Sequence, residues 1–323
     1  MRTKCFIVSV LCLGLASSMV AQAPAAQQRT GPVVGLSMIV TNKDNKGVAN
    51  IRKDQVRIYE NGTEQTILSI EADERPIDYG IAIDASGSLR SQNESVLEAA
   101  RLIIVNRRPT DEIFIERFIT THTIEKYRDF TTDTNALIQS LNNFRIEAGH
   151  SAVIDGLYTA VEYVAEYHKG NEGRRKAVVI ITDGEDRAST HTQQDLTKLL
   201  RERGVQVFVI GLVKELDRDT GLIRMSPREK AEKLLNAVAE ESGGRVFFPA
   251  KKDQLINAAQ EISLDLRAQY RIKYQSTNDS SKPGFRRVEA KFVSSDGQKR
   301  KLIVPPGYYA GTPQHPAQPE KNP

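Results

Sequence analysis

The sequence has 323 residues, 27% charged and 39% hydrophobic, enough for one large domain and a smaller one around an ordinary apolar core. Its 45 basic and 41 acidic residues leave a formal charge of +4, too mild and too dispersed to argue for nucleic acid or another polyanionic partner. Both cysteines, Cys5 and Cys12, lie in a segment expected to be removed, which excludes disulfides, thiol catalysis and thiolate metal sites from the mature chain.

Arg2 and Lys4 precede an apolar run over residues 5–15, followed by small residues and Ala-x-Ala options over 21–25. This is the pattern of a secretory signal peptide, assigned to residues 1–25. Pro24 disfavours a cut directly after Ala23, so the mature start is expected between residues 22 and 27. The apolar core is short for a span of about 20 residues, so no stable membrane span is expected after cleavage. The expected location is extracytoplasmic, secreted or periplasmic.

Residues 22–31 are rich in Gln, Ala and Pro and read as a flexible leader. Short β-like runs follow at 34–41, 55–60 and 64–71, with hairpin signal Asn61-Gly62 between the last two and a turn at Asn45-Lys46-Gly47. Residues 79–83 form an apolar strand, and Leu89, Val96, Leu97, Ala100, Ile103 and Ile104 recur at helical spacing over 89–106. Strands are predicted at 113–119, 177–182, 205–212 and 245–248, and helices at 135–144, 152–167, 193–203, 227–241 and 253–268. Such alternation predicts an α/β fold, a doubly wound, mostly parallel sheet with helices on both faces, over residues 76–269. Ligands of such sheets bind at the carboxyl ends of the strands. The polar segment 213–226 is either a solvated loop or a partner-contacting insertion. Further β-like runs at 270–275, 286–293 and 301–304 are separated by turn-rich pieces at 278–281 and 296–297. Residues 32–75 and 270–310 are expected to combine into one small β-sandwich, with the α/β domain inserted between them. Residues 311–323, rich in Pro and Gln, read as a disordered tail.

The chemistry is concentrated where the strand 79–83 stops. Asp84-Ala85-Ser86-Gly87-Ser88 offers one carboxylate and two hydroxyls at alternate positions, with a glycine for a sharp turn. Mg2+ takes about six oxygen ligands at about 2.1 Å and is usually held by only one or two carboxylates. The loop therefore supplies part of a shell, and later loops offer the rest: Ser151 after Gly149, and Asp183 after the strand 177–182.

Asp84-x-Ser86-x-Ser88, Gly149-His150-Ser151 and Thr182-Asp183-Gly184, in that order, resemble the metal-ion-dependent adhesion site of von Willebrand factor A-type (vWA) domains. The resemblance implies that Ser86, Ser88 and Ser151 are metal ligands. It also implies that Asp84 and Asp183 bind the metal directly or through water, and that an Asp or Glu of a protein partner completes the shell. The family usually has threonine at Ser151 and often glycine at His150. The implied metal is Mg2+, with Mn2+ or Ca2+ as alternatives. The leading strands, the exit through Leu266-Arg267-Ala268-Gln269-Tyr270 and the motif Pro306-Gly307-Tyr308-Tyr309 also resemble a secreted bacterial subset of the family.

Blander readings exist for each residue. Asp84 has the composition of a helix N-cap, and Asp183-Gly184-Glu185-Asp186 that of a polar turn; Glu185 and Asp186 receive no direct role. His150 is expected to orient rather than coordinate, since Mg2+ prefers oxygen. The five histidines show no short paired spacing for zinc, and Tyr158, Tyr163 and Tyr167 read as packing. Three Asn-x-Ser/Thr triplets, at Asn61, Asn93 and Asn278, match a glycosylation acceptor that arises often by chance. An enzyme is not expected. A phosphohydrolase aspartate would have Asp where Ser86 stands, and the hydrolase elbow Gly-x-Ser-x-Gly lacks its first glycine because Asp84 occupies it. The expected function is a metal-dependent protein-binding module. The alternatives are a metal-independent envelope scaffold acting through the β-sandwich, or a metal-dependent hydrolase.

Overall fold

The computed structural model describes residues 31–171, 173–216, 225–278, 282–293 and 299–310. The expected signal peptide and leader, the tail, most of segment 213–226, residues 279–281 and the turn at 296–297 lie outside the described residues.

The chain begins with three strands, β1 (Val33–Asn42), β2 (Val56–Glu60) and β3 (Thr63–Ala72). Asn61 and Gly62 take left-handed backbone at φ 49° and 82° to join β2 to β3, as the Asn-Gly signal predicts. The α/β part follows: β4 (Ile77–Asp84), α1 (Asn93–Val105), β5 (Glu112–Phe118), β6 (Ile124–Thr131), α2 (Thr134–Asn142), α3 (Val153–Glu166) and β7 (Arg175–Thr182). It continues with α4 (Gln193–Arg203), β8 (Gln206–Gly211), α5 (Pro227–Ser242), β9 (Val246–Phe247) and α6 (Lys252–Arg267). Four strands close the chain: β10 (Tyr270–Gln275), β11 (Gly284–Phe292), β12 (Arg300–Ile303) and β13 (Gly307–Ala310).

The α/β part is a six-stranded sheet in the order β6-β5-β4-β7-β8-β9, parallel except for β6. Every residue of β4 is buried, because helices cover both faces. Ile77, Tyr79, Ile81 and Ile83 pack on the side of α1, α2 and α6, whereas Ala82 faces the side of α3, α4 and α5. From β4 the chain first moves to β5 and β6, then returns to the other side of β4 as β7. The carboxyl ends of β4 and β7 thus lie at the switch point, where ligands of open α/β sheets bind.

β6 was not anticipated. Ile124-Glu125-Lys126-Tyr127-Arg128-Asp129-Phe130 carries four charges and no regular apolar alternation, which suits an edge strand and hides it from pattern reading. The terminal strands do combine, but into one antiparallel sheet of seven rather than a two-sheet sandwich, in the order β12-β1-β10-β3-β2-β11-β13. The sheet curls, so that Arg300 of β12 lies 4.9 Å over the Phe292 ring of β11. Its own core contains Met38, Val56, Ile58, Ile272 and Tyr274.

Candidate metal centre

In register, Ile83 lies beside Ile181, which places Asp84 next to Thr182 at the strand ends. The Thr182 hydroxyl donates to Asp84 Oδ2 at 2.7 Å and accepts from Gly184 N at 2.9 Å. Asp84 Oδ1 accepts from Ser86 N at 3.0 Å and from the Ser151 hydroxyl at 3.2 Å. The Ser86 and Ser88 hydroxyls are 3.0 Å apart. Asp183 Oδ1 accepts from Glu185 N at 2.9 Å, and Ser88 is near enough to the same carboxylate to lower its pKa. All five predicted ligands therefore meet at one place. Asp84, Ser86, Ser151 and Asp183 are buried there, while Ser88 is exposed.

The electrostatics fit a cation. Burial, then the charge of Asp183, pushes Asp84 up to about 6 against the donors Thr182 and Ser86. Burial likewise raises Asp183, opposed by Ser88. No Lys, Arg or His ion-pairs with either carboxylate among the described residues; the nearby Arg187 pairs with Glu185 instead. The two buried acidic groups, hydrogen-bonded to hydroxyls and backbone amides, form with the serines an all-oxygen donor set, which suits Mg2+, Mn2+ or Ca2+ better than a soft metal. His150 is exposed.

Local geometry requires particular residues around this set. Gly184 sits at φ 76°, and a Cβ there would come within 2.7 Å of Leu235 Cδ1, so the turn after Asp183 needs glycine. Ser151 precedes α3, and its carbonyl accepts from Arg187 N at 2.9 Å and Ala188 N at 3.2 Å. The loop after Asp183 is thereby bound to the loop carrying Ser151. Asp186, given no role from the sequence, accepts from Ile154 N at 3.2 Å and from Ser189, and so serves the first turn of α3. The resemblance implies no role for Thr182, although strand register alone places it against Asp84. Leu212 N donates to Thr182 O at 2.8 Å, so segment 213–226 starts at this same edge.

A second group of metal-ligand types lies at the other end of the sheet. Ligand atoms of Asp78, Glu112 and His168 lie within 4.8 Å of one another. There, however, Asp78 faces Arg174 at 2.5 Å and Lys176 at 3.9 Å, and Arg174 also reaches Glu112 at 3.3 Å. The negative charge is already neutralised by fixed cations, so the group is an ion-pair cluster. The three tyrosines pack as expected: Tyr163 edge-on to Phe114, Tyr167 stacked on Phe130 and Tyr158 stacked on His191.

The profile of the von Willebrand factor type A domain matches residues 78–261, more than half of the chain. No curated protein sequence matches. Among solved structures, the conserved hypothetical protein BatB from Bacteroides thetaiotaomicron is 19% identical, covering 59% of this chain and 100% of its own, with a TM-score of 0.46. An aerotolerance-related membrane protein from Bacteroides fragilis is 19% identical over 58% of this chain and 98% of its own, with a TM-score of 0.44. Proximal thread matrix protein 1 from the mussel byssus, with a zinc-occupied MIDAS motif, is 18% identical over 63% of this chain and 48% of its own, at 0.47.

Proposed function

This chain belongs to the von Willebrand factor type A domain family, whose members are in general interaction modules, and we propose that it captures an acidic side chain of a protein partner through a divalent metal. The observation that supports this reading is the convergence of two buried carboxylates, neither ion-paired among the described residues, with three serine hydroxyls at the switch point of the sheet.

Ser86, Ser88 and Ser151 would hold Mg2+ through their hydroxyls, and Asp84 and Asp183 directly or through water; Mn2+ and Ca2+ accept the same donors. When bound, the ion supplies a concentrated positive charge able to accept a further carboxylate oxygen. Thr182 holds Asp84 oriented toward the serines, and Ser88, as the exposed member, marks the side open to a partner. We assign residues 76–269 to the vWA domain and 32–75 with 270–310 to one β unit. The extracytoplasmic location rests on residues 1–25. Among the described residues no helix is long and apolar enough to cross a membrane.

Calorimetric titration of the mature protein with Mg2+ and Mn2+, with and without a carboxylate-bearing peptide, tests the reading beside Asp84→Ala/Asp183→Ala. One saturable site, tighter with peptide and lost in the variant, is the expected result. A folded protein that binds neither ion under either condition would refute it and leave the metal-independent scaffold.

A further inference from the structure

Arg117 occupies the β5 position that follows Ile115 on the face toward α1 and α2, where the rest of the strand is apolar. Its side chain is only 4% exposed. A guanidinium so deeply buried needs fixed partners. Its Nε donates to Arg145 O at 3.0 Å, and its NH2 lies 2.6 Å from Glu147 Oε1, off the line of a hydrogen bond. Glu125 is 3.6 Å away, and the guanidinium stands 6.0 Å from the centre of the Phe144 ring. Three of these four partners, Phe144, Arg145 and Glu147, belong to one segment, residues 143–150, which connects α2 to Ser151.

That segment also touches the first metal loop. Glu147 N donates to Ala85 O at 2.9 Å, and a Cβ on Gly87 would lie 3.7 Å from Glu147 O. Just beyond it, Ala152 N donates to Ile119 O at 2.7 Å, while Ala85 N donates to Phe118 O at 2.9 Å. The end of β5 therefore anchors both the Asp84–Ser88 loop and the residue after Ser151. Arg117 grips the chain between them, and Glu147 carries that grip to Ala85.

We propose that Arg117, through Arg145 and Glu147, is the positioning residue that sets Ser151 in reach of the Asp84–Ser88 loop, so that metal affinity depends on a guanidinium that touches no metal. The inference rests on the metal reading above. Serine lacks the methyl group that restricts the first side-chain torsion of threonine, so at this position the backbone has to carry more of the placement of the hydroxyl. Removing a residue that orients a ligand typically lowers metal affinity by about 10–100-fold.

The test is a cycle of Mn2+ affinities, measured by calorimetry and by the electron paramagnetic resonance of bound Mn2+, on wild type, Arg117→Met, Ser151→Ala and the double variant. Arg117→Met is expected to weaken binding about tenfold or more, and to weaken it little further once Ser151 is gone. Arg117→Lys, which keeps the charge but cannot span Arg145 and Glu147 together, is expected to recover only part of the loss. Equal losses in both Ser151 backgrounds would overturn the proposal, because a general loosening acts whichever ligand is present. Unchanged affinity in Arg117→Met would do the same while leaving the metal reading intact. No Mn2+ binding by wild type would remove the metal reading and this inference with it. Should Arg117→Met fail to fold, Glu147→Gln, at an exposed position, is put through the same cycle and is expected to give a smaller loss that also disappears without Ser151.

Discussion

Asp84 and Glu116 are both fully buried acids on the face of the sheet covered by α3, two residues apart across the β4–β5 pair, where Glu116 lies beside Ala82. Their surroundings separate them. Asp84 receives three donors, whereas neither oxygen of Glu116 has a partner among the described residues. Burial pushes Glu116 well above its ordinary 4.5, which favours its neutral form between Phe114 and Phe118. The folded chain holds this proton more tightly than the unfolded chain, so the residue's contribution to stability falls as pH rises above about 4.5. Glu116→Met removes an unsatisfied polar group at similar volume and is expected to stabilise the protein by about 1–3 kcal/mol at pH 7, with a smaller gain at pH 4. Urea denaturation at the two pH values measures this. A loss of stability at pH 7 would show that the carboxyl has a partner worth more than its burial. The sequence showed the strand around Glu116 but gave no sign of this residue, because one acid in Glu112-Ile113-Phe114-Ile115-Glu116-Arg117-Phe118 looks like any solvent-facing position until β6 and α3 cover it.

At the scale of elements, the first turn of α3 holds the site's loops together. Asp155, buried in that turn, accepts from the Thr121 hydroxyl, from Thr190 N at 2.7 Å, from His191 N at 2.9 Å and from His191 Nδ1 at 2.7 Å. Burial pushes its pKa up, but these hydrogen bonds outweigh burial and hold it at about 2. A depressed carboxylate stabilises the fold above its unfolded value of 3.8, and that stability is lost as pH falls toward 2. The shift corresponds to about 2 kcal/mol. Asp155→Asn is therefore expected to lose about that much at pH 7 and much less at pH 2.5, read from guanidinium midpoints. A loss independent of pH would assign the effect to packing. Elements with strong local signals were legible in advance: α4 matches residues 193–203, bounded by the Thr192 cap and the left-handed Gly204. That the loops carrying Asp84, Ser86, Ser88, Ser151 and Asp183 meet was legible as well, since oxygen-bearing side chains at strand ends leave a compact pattern. Asp155, Thr182 and Arg117 have no role legible in the sequence, because their partners lie 34 to 98 residues away or on backbone atoms.

Over the whole molecule, the insertion of the α/β domain between terminal strands was readable from where β-like runs occur, but the single curled sheet was not. Sandwich and curled sheet share the same alternation along each strand, and only pairing between distant strands separates them. Where the two parts meet, the turn after β1 lies on α6. Lys46 ion-pairs with Glu261, Arg245 NH2 donates to Asn45 O at 2.7 Å, and Arg245 NH1 reaches Asp265 Oδ2 at 2.6 Å. Arg245 and Asp265 are both buried, and burial pushes Asp265 up to about 6 even against the attraction of Arg245. The attraction thus does not fully repay the desolvation of Asp265, and the pair's worth lies in not leaving one charge alone. Asp265 holds its proton more tightly folded than unfolded, so its contribution is greatest below 3.8 and is lost as pH rises through about 6. Arg245→Met is expected to destabilise by about 3–5 kcal/mol at pH 7, where Asp265 must stay ionised unpaired or take up a proton, and by clearly less at pH 5. Arg245→Met/Asp265→Leu removes both charges and is expected to recover most of the loss, leaving the missing bond to Asn45 O. Thermal unfolding of the three proteins at both pH values decides it. A double variant no more stable than Arg245→Met would mean that the guanidinium's contact with the turn after β1, and not the buried acid, joins the two parts.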